Sequence, residues 1–237
     1  MNERETKPRA WTAQMNAGSQ SFRQGKIKDA AMAFAKATQL LPDRAEGWIN
    51  LGSCLLAAQR TERAIQALER ALSIKPGAMA AHMLMGDAMR QAGKSGTALK
   101  HYELAVEAER APAALNRLAC ALRQKKRWVE ARALYDEALQ REPGFSIPRV
   151  NLACMEIEQF RFDSALEQLQ SLANEQLPPM EHHEVDSALA ALQQYDQLAQ
   201  SLSIMARGDG LEPAAAALAA LPKQALRVDE PSLRSLR

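Results

Sequence analysis

Few residues in this 237-residue chain have the type and spacing to do chemistry, and most resolve into something plainer. Gly93-Lys94-Ser95 matches the end of a phosphate-binding loop. That loop needs a glycine five residues before Gly93, where Ala88 stands, and a strand leading into it. A polar turn between helices is the simpler reading. Lys125-Lys126-Arg127 beside Trp128, with Arg123 just before, could offer cations and a ring to a nucleic acid. It also falls on a turn, where solvated charge is ordinary. His182-His183 has no cysteine or carboxylate at zinc-ligand spacing, and on a helix adjacent side chains such as Glu181 and Glu184 diverge by about 100° per residue. Cys54, Cys120 and Cys154 form no CxxC pair, and no histidine stands where it could activate one of them. No Ser/His/Asp set or carboxylate pair is present. The chain is therefore expected not to be an enzyme, and to need no metal or cofactor.

What does recur is a packing pattern. Small residues fall at Gly18, Gly52, Gly86, Ala119 and Ala153, and alanines at Ala30, Ala64, Ala98, Ala131 and Ala165. Four residues after each alanine come Phe34, Leu68, Tyr102, Tyr135 and Leu169; three beyond those come Ala37, Ala71, Ala105, Ala138 and Leu172. The steps are 34, 34, 33 and 34 residues in every column. Pro42, Pro76 and Pro143 recur as helix stops, each followed within one residue by Asp or Gly. At the third stop Arg110 replaces proline, and Pro112 follows two residues later. Turns inside the units fall at Gly25, Gln59, Gly93, Lys126 and Phe160.

The stretch Trp48 to Pro76 carries Trp48, Leu51, Gly52, Leu55, Ala64, Leu68, Ala71 and Pro76 in one register, and so resembles the tetratricopeptide repeat (TPR), a helix–turn–helix unit of about 34 residues. The resemblance implies an all-α, right-handed α-solenoid of about five units, at 11–44, 45–78, 79–111, 112–145 and 146–179. The ends of the array are less regular. Gln14 and Ser21 stand where the first unit should pack large apolar side chains, with Trp11 and Phe22 adjacent. Arg149 and Glu156 take the same two places in the fifth. Residues 1–10 are polar and expected to be disordered or frayed. After Pro178-Pro179, Val185, Leu189, Leu192, Tyr195, Leu198, Leu202 and Met205 form one apolar helical stripe. The span 180–221 is expected to hold capping helices and 222–237 a mobile tail.

In the TPR family the first helix of each unit lines the concave face, so this resemblance implies a groove. One groove column reads Asn16, Asn50, Leu84, Arg117 and Asn151, with Asn116 beside Arg117. An Asn amide both donates and accepts, and can pair with both polar groups of one extended peptide unit. The column resembles the asparagine ladder in the TPR arm of O-linked N-acetylglucosamine transferase, with a gap at Leu84. Met15, Ile49, Met83 and Asp87 are further groove candidates, as are Ser19, Arg23 and Ser53. Arg90, Arg117 and Arg123 would make a basic strip favouring carboxylates. The clamp by which TPR co-chaperones hold heat-shock-protein tails is not matched. Its first- and third-unit positions are Met15, Ser19, Ala80 and Leu84 here, and Asn50 alone agrees.

Composition agrees with an interaction protein. Apolar residues make up 47% and aromatics 5%, an Ala/Leu core suited to helices, and a net charge of +2 gives no long-range pull on nucleic acid or anionic membrane. The N-terminus MNERETKPRAW is charged, with no apolar run after it, so no secretory signal is expected, nor any membrane span. The expected protein is a cytoplasmic scaffold or adaptor holding an extended segment of a partner protein. One alternative is an accessory subunit that presents a substrate protein to a separate enzyme or secretion machine. Another is a helical repeat that binds RNA, whose affinity would depend steeply on salt.

Overall fold

The structure, a computed structural model, describes residues 3–159, 161–177, 182–183, 185–190 and 192–193. Among these residues the regular elements are all helices. The chain divides into two compact units, Met1–Ala131 and Arg132–Arg237.

The first unit holds α1 (Glu3–Arg23), α2 (Ile27–Leu40), α3 (Ala45–Ala57), α4 (Thr61–Ile74), α5 (Met79–Gln91), α6 (Ser95–Ala108) and α7 (Pro112–Gln124), and ends in the first turn of α8 (Trp128–Arg141). Helices pair in sequence: α1 packs on α2, α3 on α4 and α5 on α6, while α3 also meets α5, and α5 meets α7. The cause is the columns read above. Phe34, Leu68 and Tyr102 are buried, and so are the alanines four residues before them. A Cβ added to Gly18 would lie 2.7 Å from the Phe34 ring, and one on Gly52 2.8 Å from the Leu68 side chain. On Gly86 it would come closer still to Tyr102. Each glycine is the gap that receives the large side chain of the facing helix.

The turns obey one rule. Gly25, Gln59, Gly93 and Lys126 all have positive φ, between 56° and 74°. The residue after each returns its N–H to the carbonyl five back: Lys26 to Ser21, Arg60 to Leu55, Lys94 to Met89 and Arg127 to Leu122, at 2.8–3.0 Å. This left-handed exit satisfies carbonyls at the helix end. Gln59 and Lys126 adopt it without the freedom of glycine. Gly93-Lys94-Ser95 is thus a helix exit followed by the start of α6. Helix stops recur as well: Pro42 and Pro76 lie two residues beyond α2 and α4, and Pro112 opens α7.

One residue, His82, departs from the family pattern and yet keeps its contact. The Trp48 indole N–H donates to the Pro42 carbonyl at 2.9 Å. At the equivalent site in the next unit, His82 Nε2 donates to the Pro76 carbonyl at 2.8 Å. A carbonyl only accepts, so His82 Nδ1 is left bare, and it accepts from His101 Nδ1–H at 3.2 Å. Burial, and then His82, hold the His101 imidazole pKa below its usual value.

The expectation for residues 1–10 is corrected over 3–10, which begin α1. Residues 7–10 are exposed, which suits their polarity, and Glu, Arg, Lys and Ala are all good helix formers. Pro8 removes one backbone donor inside that helix. Arg44 covers the Trp11 ring, 5.0 Å from its centroid, which tethers α1 to the segment before α3.

The second unit contains the rest of α8, then α9 (Ser146–Glu158), α10 (Phe162–Ala173) and helical residues 185–190. Val150, Ala153, Ile157, Ala165, Leu169 and Leu172 form its core, and Val185, Ala188 and Leu192 are buried against it. The later part of the apolar stripe, from Tyr195 to Met205, lies outside the described residues, as do Phe160, the rest of the expected capping span to 221 and the tail. The two polar residues at packing positions of α9 are both ion-paired. Arg149 grips Glu175 through two bonds of 2.6 Å. Glu156, only 3% exposed, is held by Arg132 and Arg161. The Arg161 bond, reinforced by Arg132 and opposed by burial, keeps the Glu156 carboxyl below its usual 4.5.

This packing can be tested at two places. Gly86→Ala forces the Tyr102 ring to shift, and should cost about 1–3 kcal/mol in urea unfolding; an unchanged midpoint would show that the close approach is not rigid. For Glu156 the lowered carboxyl pKa means its stabilisation is present above about pH 4.5 and is lost as acid protonates it in the folded state. Glu156→Gln should destabilise by about 1–3 kcal/mol at pH 7. Glu156→Leu, the apolar choice, should match or exceed wild type, because Arg132 and Arg161 are exposed enough to return to water. It should also flatten the loss of melting temperature below pH 4.5. An acid profile identical in wild type and Glu156→Leu would remove the linkage.

Candidate functional site

The groove candidates of the first unit fall into two environments. Between α1 and α3 lies a cleft of about 420 Å³, lined by Ser19, Phe22, Arg23, Phe34, Asn50 and Ser53. Its floor is the Phe34 ring that fills the gap at Gly18. Phe22 forms one wall and remains 37% exposed. Ser19 and Arg23 are one helical turn apart on α1, and Asn50 and Ser53 are three apart on α3, so the two pairs face one another across the opening. The Asn50 amide and the Ser19 and Ser53 hydroxyls have no partner among the described residues. Arg23 makes only a long bond of 3.4 Å from Nε to its own helix, at the Ser19 carbonyl, and no ion pair among the described residues. Asn16, one turn before the cleft residues of α1, is exposed and likewise unpartnered.

Over α5 to α7 the polar groups are already spent on one another. Tyr102 donates its hydroxyl to Asp87 Oδ1 at 2.8 Å, and Arg117 Nε donates to Asp87 Oδ2 at 3.1 Å. The Arg90 guanidinium lies close enough to Tyr102 and Asp87 to interact with both. Burial first, and then the Asp87 charge, push the Tyr102 phenol well above its usual range, so it stays a neutral donor. Burial opposes the charge on Arg90, but the phenol and Asp87 outweigh it and raise its pKa. Arg90 and Arg117, expected with Arg123 as an open basic strip, are instead drawn to Asp87 and Tyr102 in a network that satisfies itself.

The remaining expected site residues are placed differently. Asn116 and Arg123 are buried, each with a partner, and Asn151 in the second unit is buried and partnered too. The two asparagines are not displayed as free ladder rungs, nor is Arg123 displayed as a free cation of the basic strip. Met15 packs half-buried against Phe34 and Cys54, and Ile49 against the cluster of Ala45 and Ala71. Both serve inter-helix packing, while Met83 is half-buried. Periodicity did not reveal that Tyr102 and Phe22 belong to these surfaces, since both read as packing residues. The hydroxyl of Tyr102, where Phe34 and Leu68 have none, was the available signal.

Other reactive groups have ordinary settings. The cysteines are all thiols, and burial pushes Cys54 up to about 11. Lys125 and Lys126 are exposed at a helix exit, and Arg127 pairs with Glu130. His182 is half-buried and His183 exposed. Among the described residues no group of three or more His, Cys, Asp or Glu side chains could hold a metal, and no helix is long and apolar enough to cross a membrane.

Stacked helix–turn–helix pairs of this period define an α-solenoid. Family descriptions of the tetratricopeptide repeat match residues 17–78 and 112–145. Such repeats are typically protein-interaction scaffolds without catalysis of their own. A thermophilic TPR protein of Thermus thermophilus has a similar fold, with a TM-score of 0.66 at 18% identity, over 78% of this chain and 99% of that one. PilF of Pseudomonas aeruginosa also scores 0.66, at 14% identity, over 85% of this chain and 93% of its own. In sequence, 59 residues are 39% identical to the peroxisomal targeting signal receptor of Yarrowia lipolytica. That match covers 25% of this chain and spans only 10% of the receptor's length.

Tyr102→Phe should test whether the α5–α7 network is structural. Loss of the hydroxyl removes a buried donor to Asp87, and stability should fall by about 1 kcal/mol in urea denaturation with helix content intact. No change would mean that Arg117 alone satisfies Asp87.

Proposed function

We propose that this protein is a scaffold or adaptor that holds an extended segment of a partner protein against α1 and α3. Asn50 and Asn16 are the principal peptide-binding groups, and Ser19, Ser53 and Arg23 border the same surface. One observation supports this reading above the others. Along α1 and α3 the amide, hydroxyl and guanidinium groups at the cleft have no partner side chain among the described residues, whereas Asn116, Asn151 and Arg123 have theirs. An amide that both donates and accepts suits a peptide unit, and a preformed surface avoids the cost of ordering the receptor.

The ladder is thus shorter than the full column suggests. Two rungs on successive first helices would bind separate peptide units of one extended chain. Asp87, Arg90 and Arg117 stiffen the neighbouring surface.

Pull-downs from the source organism with wild type and the Asn16→Ala/Asn50→Ala variant test the reading. Each lost amide pairing is worth about 1 kcal/mol, so affinity for captured partners should fall roughly tenfold or more. Melting temperature should hold, since neither amide bonds within the described fold. Equal capture by both proteins, with a lowered melting temperature in the variant, would make the asparagines structural.

A further inference from the structure

The first unit does not present the same chemistry at successive junctions between its first helices. At the α1–α3 junction the cleft carries Arg23, a cation with no acidic partner among the described residues. The corresponding residues one repeat on are Ala57 for Arg23, Leu84 for Asn50 and Asp87 for Ser53. Asp87 is already bonded by Tyr102 and Arg117. What that second junction offers is the half-buried side chain of Leu84, packed on the cluster of Leu68 and Met85. A ligand crossing both junctions meets an uncompensated positive charge at one and an apolar surface at the other.

We propose that the cleft between α1 and α3 is a specificity site for an acidic residue of the bound segment, and that Leu84 receives an apolar residue about three positions away. This rests on the peptide-binding reading above and adds which peptides are chosen. The carboxylate pairs with Arg23 at the mouth and can accept from the Ser19 and Ser53 hydroxyls, two donors otherwise without partners among the described residues. The aliphatic part of an acidic side chain lies against Phe22 and the Phe34 floor. The spacing follows from geometry: junctions repeat at about 8–10 Å, and an extended chain advances about 3.3–3.6 Å per residue. Asp87 does not oppose an acidic ligand strongly, because its charge is balanced by Arg117.

Selection of a random dodecapeptide library on the full-length protein decides the matter, run in parallel on wild type, Arg23→Glu and Asn50→Ala. Arg23 is exposed and outside the packing columns, and a thermal melt of each variant confirms folding. The expected result is enrichment of Asp or Glu with an apolar residue about three positions away on wild type, and disappearance of the acidic preference on Arg23→Glu. A synthetic peptide from the wild-type selection should bind Arg23→Glu at least roughly tenfold more weakly, since like charges then face each other. The same peptide with Gln or Asn for its acid should bind both proteins alike. Asn50-dependent peptides without acidic enrichment, or with enrichment that survives Arg23→Glu, would overturn the proposal and leave the peptide groove standing. Selection of nothing, or of the same peptides on wild type and Asn50→Ala, would overturn the groove as well.

Discussion

The architecture depends on one contact, repeated: a large side chain from the second helix of a pair filling the space left by a glycine on the first. Phe34 over Gly18, Leu68 over Gly52 and Tyr102 over Gly86 bring the two backbones close enough that any Cβ at the glycine would collide. The alanines one turn before those large residues are buried for the same reason, since nothing wider fits between the helices. In the second unit Ala153 lies in one core with Leu169, so alanine takes the place that glycine holds opposite Leu68. This contact sets the rotation of every first helix about its axis. It therefore also decides which residues of α1 and α3 face the cleft, although none of the cleft's polar groups takes part in it.

Packing of this kind is legible in a sequence because it is periodic. Small residue, alanine and large residue must recur in register, and the left-handed exits at Gly25, Gln59, Gly93 and Lys126 recur with them. The candidate site was legible only in part. Asn16, Asn50 and Asn151 share one register, yet Asn16 is exposed, Asn50 half-buried and Asn151 buried. A column position fixes the direction of a side chain from its helix; it does not fix what stands opposite. That depends on neighbours whose identities are not periodic. Likewise Met15 and Ile49 pointed toward the expected groove by register but are absorbed into packing by Phe34 and Ala45.

Substitutions away from the family pattern show the same logic from the other side. His82 stands where Trp48 does one repeat earlier, and makes the same bond to a proline carbonyl. In these two units a ring with a donor is enough to keep that bond, whichever residue supplies it. Arg149 and Glu156 occupy apolar packing positions, but each finds a charged partner within its own unit. A buried charge without a partner costs several kcal/mol, so α9 tolerates Glu156 only because two arginines reach it.

That economy gives the unpaired groups their meaning. Where polar side chains could satisfy one another, this chain has arranged that they do: Asp87 with Tyr102 and Arg117, Glu156 with Arg132 and Arg161. Asn50, Ser19, Ser53 and Arg23 surround one cleft without such partners among the described residues, although they are near enough to line a common space. Half-exposed groups there are solvated, so leaving them unpaired carries little penalty in the free protein. On the proposed reading, an entering peptide would supply amides and a carboxylate in exchange for that water, and the net gain would come from groups that no internal bond had to release. The paired Asp87 network can make no such exchange without first breaking its own bonds. The difference between the two junctions is therefore energetic as well as chemical, and it is what makes the α1–α3 cleft the proposed place of recognition.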